Sequence, residues 1–182
     1  MERHWKQKGI EKVFQNKIFS VYHKHYFLRP KDAEGVFATI DTSNWVNVIP
    51  LLECGNFLLV RQFRHGIEET TIEIPGGGIN SGDGEPLDAA VRELLEETGH
   101  TARSWEYLGC VTPNPAILNN YCYTYLARGL ERKGGRSDDK MEFLEVIKAS
   151  PTEVRKMLAD GTISHALVLA AFTHYLLRGF AL

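Results

Sequence analysis

The sequence predicts an α+β protein with a mixed sheet, preceded by an antiparallel strand element. Three observations predict it. β-branched and aromatic runs bounded by turn residues recur along the chain, helical periodicity is confined to a few segments, and the two kinds do not alternate regularly. Its 182 residues suit one compact domain with room for an appended element, and 43% apolar and 24% charged residues can fill a core.

From Val13 to Phe27 the chain alternates loosely and is rich in strand-forming residues, and a second such run, Val36 to Ile40, follows the turn-prone stretch Arg29 to Gly35. These runs define a strand element over residues 1–43, ahead of a main domain over 44–182. Val46 to Leu52 and Asn56 to Phe63 flank Glu53-Cys54-Gly55 and are expected to pair as a hairpin. Thr70 to Ile74 is a further strand. Pro75 to Gly84 holds five glycines in ten residues and is expected to be loop throughout.

Pro86 suits a first helical turn, Leu87, Ala90, Val91, Leu94 and Leu95 recur at helical spacing, and Gly99 stands where a left-handed cap would end the helix. Strands are expected at Trp105 to Val111, Tyr121 to Ala127 and Phe143 to Lys148, with a loop over Gly134 to Asp139. Ser150 can cap a helix from Pro151 to about Leu158, Gly161 ends it, and Ala166 to Leu177 forms a more buried one.

A net charge of −2 provides no basic field for nucleic acid or an anionic membrane. The N-terminus lacks an apolar leader, and the longest apolar run, Ala166 to Phe172, is too short to span a bilayer, so a soluble cytoplasmic protein is expected. Cys54, Cys110 and Cys122 are an odd number, far apart and in apolar segments, which suggests buried free thiols and neither disulfides nor zinc.

With Leu87 as zero on a helix of about 100° per residue, Glu93, Glu96 and Glu97 fall near 240°, 180° and 280°, away from the apolar stripe. Glu93 and Glu97 are like charges at i and i+4, and only Arg92 is near enough in sequence to offset three acids. A bound divalent cation would remove that repulsion. Clustered hard oxygens beside a glycine-rich loop suit Mg²⁺, with Mn²⁺ as a substitute.

These residues resemble the signature of the Nudix hydrolases: Gly, five residues, Glu, seven residues, Arg-Glu, an apolar residue, any residue, Glu-Glu, any residue, Gly, apolar. Arg92-Glu93-Leu94-Leu95-Glu96-Glu97-Thr98-Gly99 matches the second half without a gap. In the first half, aligning Gly77 with the opening glycine puts Asp83 at the first acidic position, with one residue inserted before Arg92. Aligning Gly78 keeps the spacing but puts Gly84 there. The first alignment is preferred because Ile79, Asn80 and Gly82 then fit the family's loop; His100 replaces the closing apolar residue in both.

From about Val46 to Leu177 the chain is most similar to ADP-ribose and nucleoside-diphosphate-sugar pyrophosphatases. Gln62 and Arg64 match that subgroup's Gln-x-Arg strand, Glu73-Ile74-Pro75-Gly76-Gly77 resembles its Glu-x-Pro-x-Gly approach, and Pro115 lies fifteen residues beyond the signature. The resemblance implies an α/β/α Nudix sandwich and Mg²⁺-dependent hydrolysis of the substrate's pyrophosphate to a nucleoside monophosphate and a sugar phosphate. It also implies roles: Glu93 and Glu97 as the firmest metal ligands, Glu93 being a catalytic candidate as well, Glu96 as a further ligand, and the Gly76 carbonyl completing the site. Arg92 would orient a glutamate, and Arg64 would fork onto a substrate phosphate. The general base would come from a loop after the signature, where Glu142 matches, Asp139 is the reserve and Lys140 stands where another acid is often found; a signature glutamate is the remaining candidate. Relatives of this kind are commonly homodimers through N-terminal strands, which residues 1–43 could supply.

Trp5, Tyr22 and Trp45 are candidates to stack on a base, none preferred, and the seven histidines read as surface or packed residues. Two other readings compete. One keeps the fold and changes the substrate to a nucleoside triphosphate, dinucleoside polyphosphate or capped RNA, the last weakened by the net charge of −2. The other is a non-catalytic sensor of a nucleotide sugar.

Overall fold

The computed structural model describes residues 1–134 and 143–182, so Asp139, Lys140 and Glu142, with most of the expected Gly134–Asp139 loop, lie outside the described residues. The described chain divides into two units, Met1–Ser43 with Thr112–Tyr121, and Asn44–Val111 with Cys122–Leu182.

The first unit is an antiparallel sheet of β1 (Trp5–Gln15), β2 (Phe19–Leu28) and β3 (Ala33–Thr42), in that order. The strand-forming run from Val13 to Phe27 is divided between β1 and β2. Asn16 is the cause: its Oδ1 accepts from the backbone N–H groups of Ile18 and Phe19, each at 2.8 Å, and this side-chain turn reverses the chain. Trp5, Tyr26 and Phe37 pack edge to face on this sheet. The segment Thr112–Tyr121, which carries Pro115, joins it through the Ile40 N–H bond to the Ile117 carbonyl at 2.7 Å.

The second unit contains β4 (Trp45–Leu51), β5 (Phe57–Arg64), β6 (Glu69–Glu73), β7 (Gly76–Gly78), α1 (Pro86–Thr98), β8 (His100–Val111), β9 (Cys122–Arg132), β10 (Leu144–Ala149), α2 (Pro151–Ala159) and α3 (Ala166–Leu177). Its sheet runs β10-β5-β4-β9-β8, with β6 paired to β5 and β7 to β4. The sheet is mixed, as expected, because β4 and β9 are parallel while the other pairs are antiparallel. The expected β4–β5 hairpin is reduced to one paired position, Leu51 with Phe57, since β7 and Pro75 take the same edge of β4 from Trp45 to Val48, while β9 runs along its other edge. Cys54 sits in that turn and is exposed, contrary to the expectation of three buried thiols, while Cys110 is half-buried and Cys122 buried.

Side-chain alternation along the strands supplies a core on each face. Val46 and Val48 on β4 and Ala127 on β9 pack with Ala89, Ala90 and Leu94 of α1. Ile49, Phe57, Leu59 and Leu126 pack on the other face with Val154 of α2 and Val168, Phe172 and Tyr175 of α3. Burying each such large side chain contributes about 1.5–3 kcal/mol. Among the described residues, no helix is long and apolar enough to cross a membrane.

The stretch Pro75–Gly84 is not loop throughout. Gly76–Gly78 is a strand, flanked by bonds from Val48 N–H to the Pro75 carbonyl and from Ile79 N–H to the Asn44 carbonyl, both 2.8 Å. Glycine is needed here for closeness rather than for an unusual backbone angle: a Cβ on Gly76 would overlap the Val46 carbonyl oxygen and crowd Asn47.

Candidate active site

α1 presents the acidic side chains. Glu85 caps it, with Asp88 accepting in return from the Glu85 N–H at 2.8 Å, and Gly99 ends it at φ 71°. Its buried residues are Ala89, Ala90, Leu94, Glu97 and Thr98, whereas Val91 and Leu95 are exposed. The helix is therefore rotated from the sequence reading: the arc assigned to carboxylates is partly the packed face, and Glu97 is only 9% exposed. A carboxylate among buried alanines needs a polar partner, and Glu97 Oε2 accepts from the Gly76 N–H at 3.1 Å. Glu93 lies against Gly77, where a Cβ would overlap its carboxylate.

Arg92 holds the remaining acids. Its Nη1 donates to Glu93 at 2.7 Å and to Glu96 at 3.0 Å, its Nε and Nη2 fork onto Asp83 at 3.1 and 3.0 Å, and Nη2 also reaches the Gly78 carbonyl at 2.9 Å. Asp83, not Gly84, thus brings a carboxylate to this cluster. The hydrogen bonds from Arg92 and from the Asn80 backbone hold the Asp83 carboxyl below its ordinary range, and the same contact with Asp83 pushes Arg92 further up. Among the described residues, no three acidic, histidine or cysteine groups form a ready cage for an ion. The carboxylates are shared between Arg92 and the Gly76 amide instead.

A pocket of about 610 Å³ opens beside this cluster, lined by Trp45, Asn47, Arg64, Glu73, Gly76–Gly78 and His165 among others. Arg64 Nε and Nη2 both donate to Glu73 at 2.7 Å, and Thr71 Oγ1 donates to Glu73 at 2.6 Å. Burial pushes the Glu73 carboxyl up, but the Arg64 and Thr71 hydrogen bonds and the nearby Arg64 charge outweigh it and hold the carboxyl below its ordinary value. In sequence Glu73 stands only as part of the Glu-x-Pro-x-Gly motif, Thr71 and Asn47 carry no signal of their own, and His165 is one of seven scattered histidines. Glu73 could have been found from its alternation: on a β5–β6 hairpin it faces the same side as Thr71.

Because the folded value of Glu73 is lowered, its stabilisation is present above the ordinary glutamate value of 4.5 and is lost as pH falls through the folded value. Arg64→Leu leaves the buried carboxylate without its fork, at a cost of about 1–3 kcal/mol near pH 7. The gap in Tm between parent and variant should narrow as pH is lowered below 4.5, where protonation relieves the unpaired charge. Thermal scans across pH check this, and a gap independent of pH overturns it.

Of the residues singled out from sequence, Gly76, Arg92, Glu93, Glu96 and Glu97 come together where α1 meets β7, and Arg64 lines the adjoining pocket. Trp45 lines it too, while Trp5 and Tyr22 belong to the other unit.

A NUDIX domain model matches residues 43–172. The chain is 28% identical over 171 residues to an ADP-ribose pyrophosphatase of Bacillus subtilis (strain 168), covering 92% of this chain and 90% of that one. It is 33% identical over 142 residues to an ADP-sugar pyrophosphatase of Mus musculus, covering 71% of this chain and 64% of that one. A crystal structure of an ADP compounds hydrolase shares the fold, with a TM-score of 0.84 at 21% identity over 96% of this chain and 92% of that one. The domain match takes in well over half of the sequence and includes the whole of the Arg92–Gly99 signature, so the chain belongs to the Nudix family and is a Nudix hydrolase.

Proposed function

We propose that this hydrolase splits the pyrophosphate of ADP-ribose or a related nucleoside diphosphate sugar into a nucleoside monophosphate and a sugar phosphate. Mg²⁺, with Mn²⁺ as substitute, would be held by Glu93, Glu96, Glu97 and the Gly76 carbonyl. The observation that carries this reading is the seating of the α1 carboxylates on β7, with Glu97 on the Gly76 amide and Glu93 in the space beside Gly77. All of these donors are hard oxygens, which suits such a cation. A bound cation supplies charge neutralisation at the pyrophosphate oxygens and a more acidic attacking water.

The chain's own residues do the rest. Arg92 keeps Glu93 and Glu96 aligned and balances their charge. Arg64, clamped by Glu73, presents a guanidinium to a phosphate in the pocket. Glu142 is the proposed general base, with Asp139 in reserve. The names of the B. subtilis and mouse relatives favour this substrate class over triphosphates, dinucleoside polyphosphates and capped RNA, and favour turnover over sensing alone.

A panel of ADP-ribose, other nucleoside diphosphate sugars, dinucleoside polyphosphates and triphosphates, with products identified by mass spectrometry, tests it. We expect a mononucleotide and a sugar phosphate from a diphospho-sugar, no turnover in EDTA, and recovery on adding Mg²⁺. Cleavage of triphosphates alone overturns the substrate reading.

Residues 1–43 are proposed to pair two subunits. Their sheet exposes Trp5, Ile10, Phe14 and Phe37 at 44–53%, an apolar surface of the sort that partners cover. Light scattering should give about twice the 20.6 kDa of one chain, and a mass near 20.6 kDa overturns the dimer. Three free thiols suit a reducing, cytoplasmic setting.

A further inference from the structure

One side chain in the pocket has no part in the reaction described so far. His165 is the N-cap of α3, and its Nδ1 accepts from the Leu167 N–H at 3.3 Å. An accepting Nδ1 leaves the ring hydrogen on Nε2. Nε2 lies 3.9 Å from Glu73 Oε2, beyond hydrogen-bond reach, and nothing else among the described residues accepts from it. The oxygen it faces is already engaged, since Glu73 Oε2 takes the Arg64 Nη2 donor at 2.7 Å. Two nitrogen donors, a guanidinium from β5 and an imidazole from the start of α3, therefore flank one buried carboxylate oxygen at the edge of the pocket that Gly76–Gly78 also line.

The residue type adds to the geometry. Ser, Thr, Asp and Asn cap helices better than histidine does, so capping alone does not account for an imidazole here. What histidine adds is a second nitrogen about 2 Å further along the side chain. The side chain that carries it is 32% exposed. Because the Glu73 charge is matched by Arg64, an incoming anion meets the guanidinium and the imidazole N–H rather than a bare carboxylate.

We infer that His165 is a substrate-binding residue whose Nε2–H donates to a phosphoryl oxygen of the nucleoside diphosphate sugar beside Arg64, an assignment that rests on the substrate reading above. Two substitutions separate this role from capping. His165→Asn keeps a strong cap acceptor but ends short of Nε2, and His165→Gln carries an amide N–H out to that point but caps poorly.

With ADP-ribose and Mg²⁺, His165→Asn should raise KM about tenfold with kcat within about threefold, and its Tm should stay at the parental value. His165→Gln should hold KM within about threefold of the parent while Tm falls by about 2–4 °C. A parental KM in His165→Asn, with loss of Tm in His165→Gln as the only effect, makes His165 a cap alone and overturns the inference while the substrate reading stands. A parent that turns over no nucleoside diphosphate sugar overturns the substrate reading and this inference with it.

Discussion

Glu97→Gln should cut turnover of a nucleoside diphosphate sugar by about 10²–10³-fold at saturating Mg²⁺, with little loss of stability. The reduction follows from removing a proposed charged ligand, which would be worth several kcal/mol of transition-state stabilisation, at about 1.4 kcal/mol per tenfold. Stability should hold because glutamine has the same shape and its amide oxygen can still accept from the Gly76 N–H, where Glu97 now accepts at 3.1 Å. Glu96→Gln makes a useful contrast. Its side chain is 42% exposed and bonded only to Arg92 in the described contacts, so about a tenfold loss is expected. Steady-state kinetics with a thermal melt check both variants, and undiminished turnover in Glu97→Gln overturns its assignment as a ligand.

Gly76→Ala should damage fold and activity together. The new Cβ would overlap the Val46 carbonyl oxygen and press on Asn47, whose Nδ2 bonds the Leu167 carbonyl at 3.0 Å at the start of α3. Relieving that overlap means moving β7 off β4, and overpacking of this kind costs about 1–3 kcal/mol. The same movement withdraws the Gly76 amide from Glu97 and shifts a proposed metal ligand, and displacements near 1 Å at a reacting centre cost about a hundredfold in rate. We expect a lower Tm and a kcat reduced by about that factor, and a variant with parental kcat would show that β7 does not position the site.

Local chemistry made much of this legible in the sequence. Pro86 and Gly99 bound α1, Ser150 caps α2, and the Arg92–Gly99 run carries the carboxylates, because each of these signals acts within a few residues. The structure departs from the reading where the deciding partner is distant. Gly76–Gly78 resembles a loop by composition and becomes a strand only because β4 offers it a backbone edge. The rotation of α1 could not be found from hydrophobicity, since burying Glu97 instead of Leu95 depends on an amide 21 residues away in the chain. His165 carries no capping signature in sequence, and its second nitrogen acquires meaning only when β6 brings Glu73 alongside.

The parallel pairing of β4 with β9 also governs when the site can exist during synthesis. β4 is made early, but its full-length neighbour spans Cys122–Arg132. Every site element from β4 to α1 has left the ribosome before that neighbour arrives, and such long-range pairing is slow to form and leaves strand edges exposed while the chain waits. A nascent chain halted after α1 would thus hold the complete acidic signature on an unfinished sheet, prone to associate with other strands, and competence for chemistry would come late and all at once.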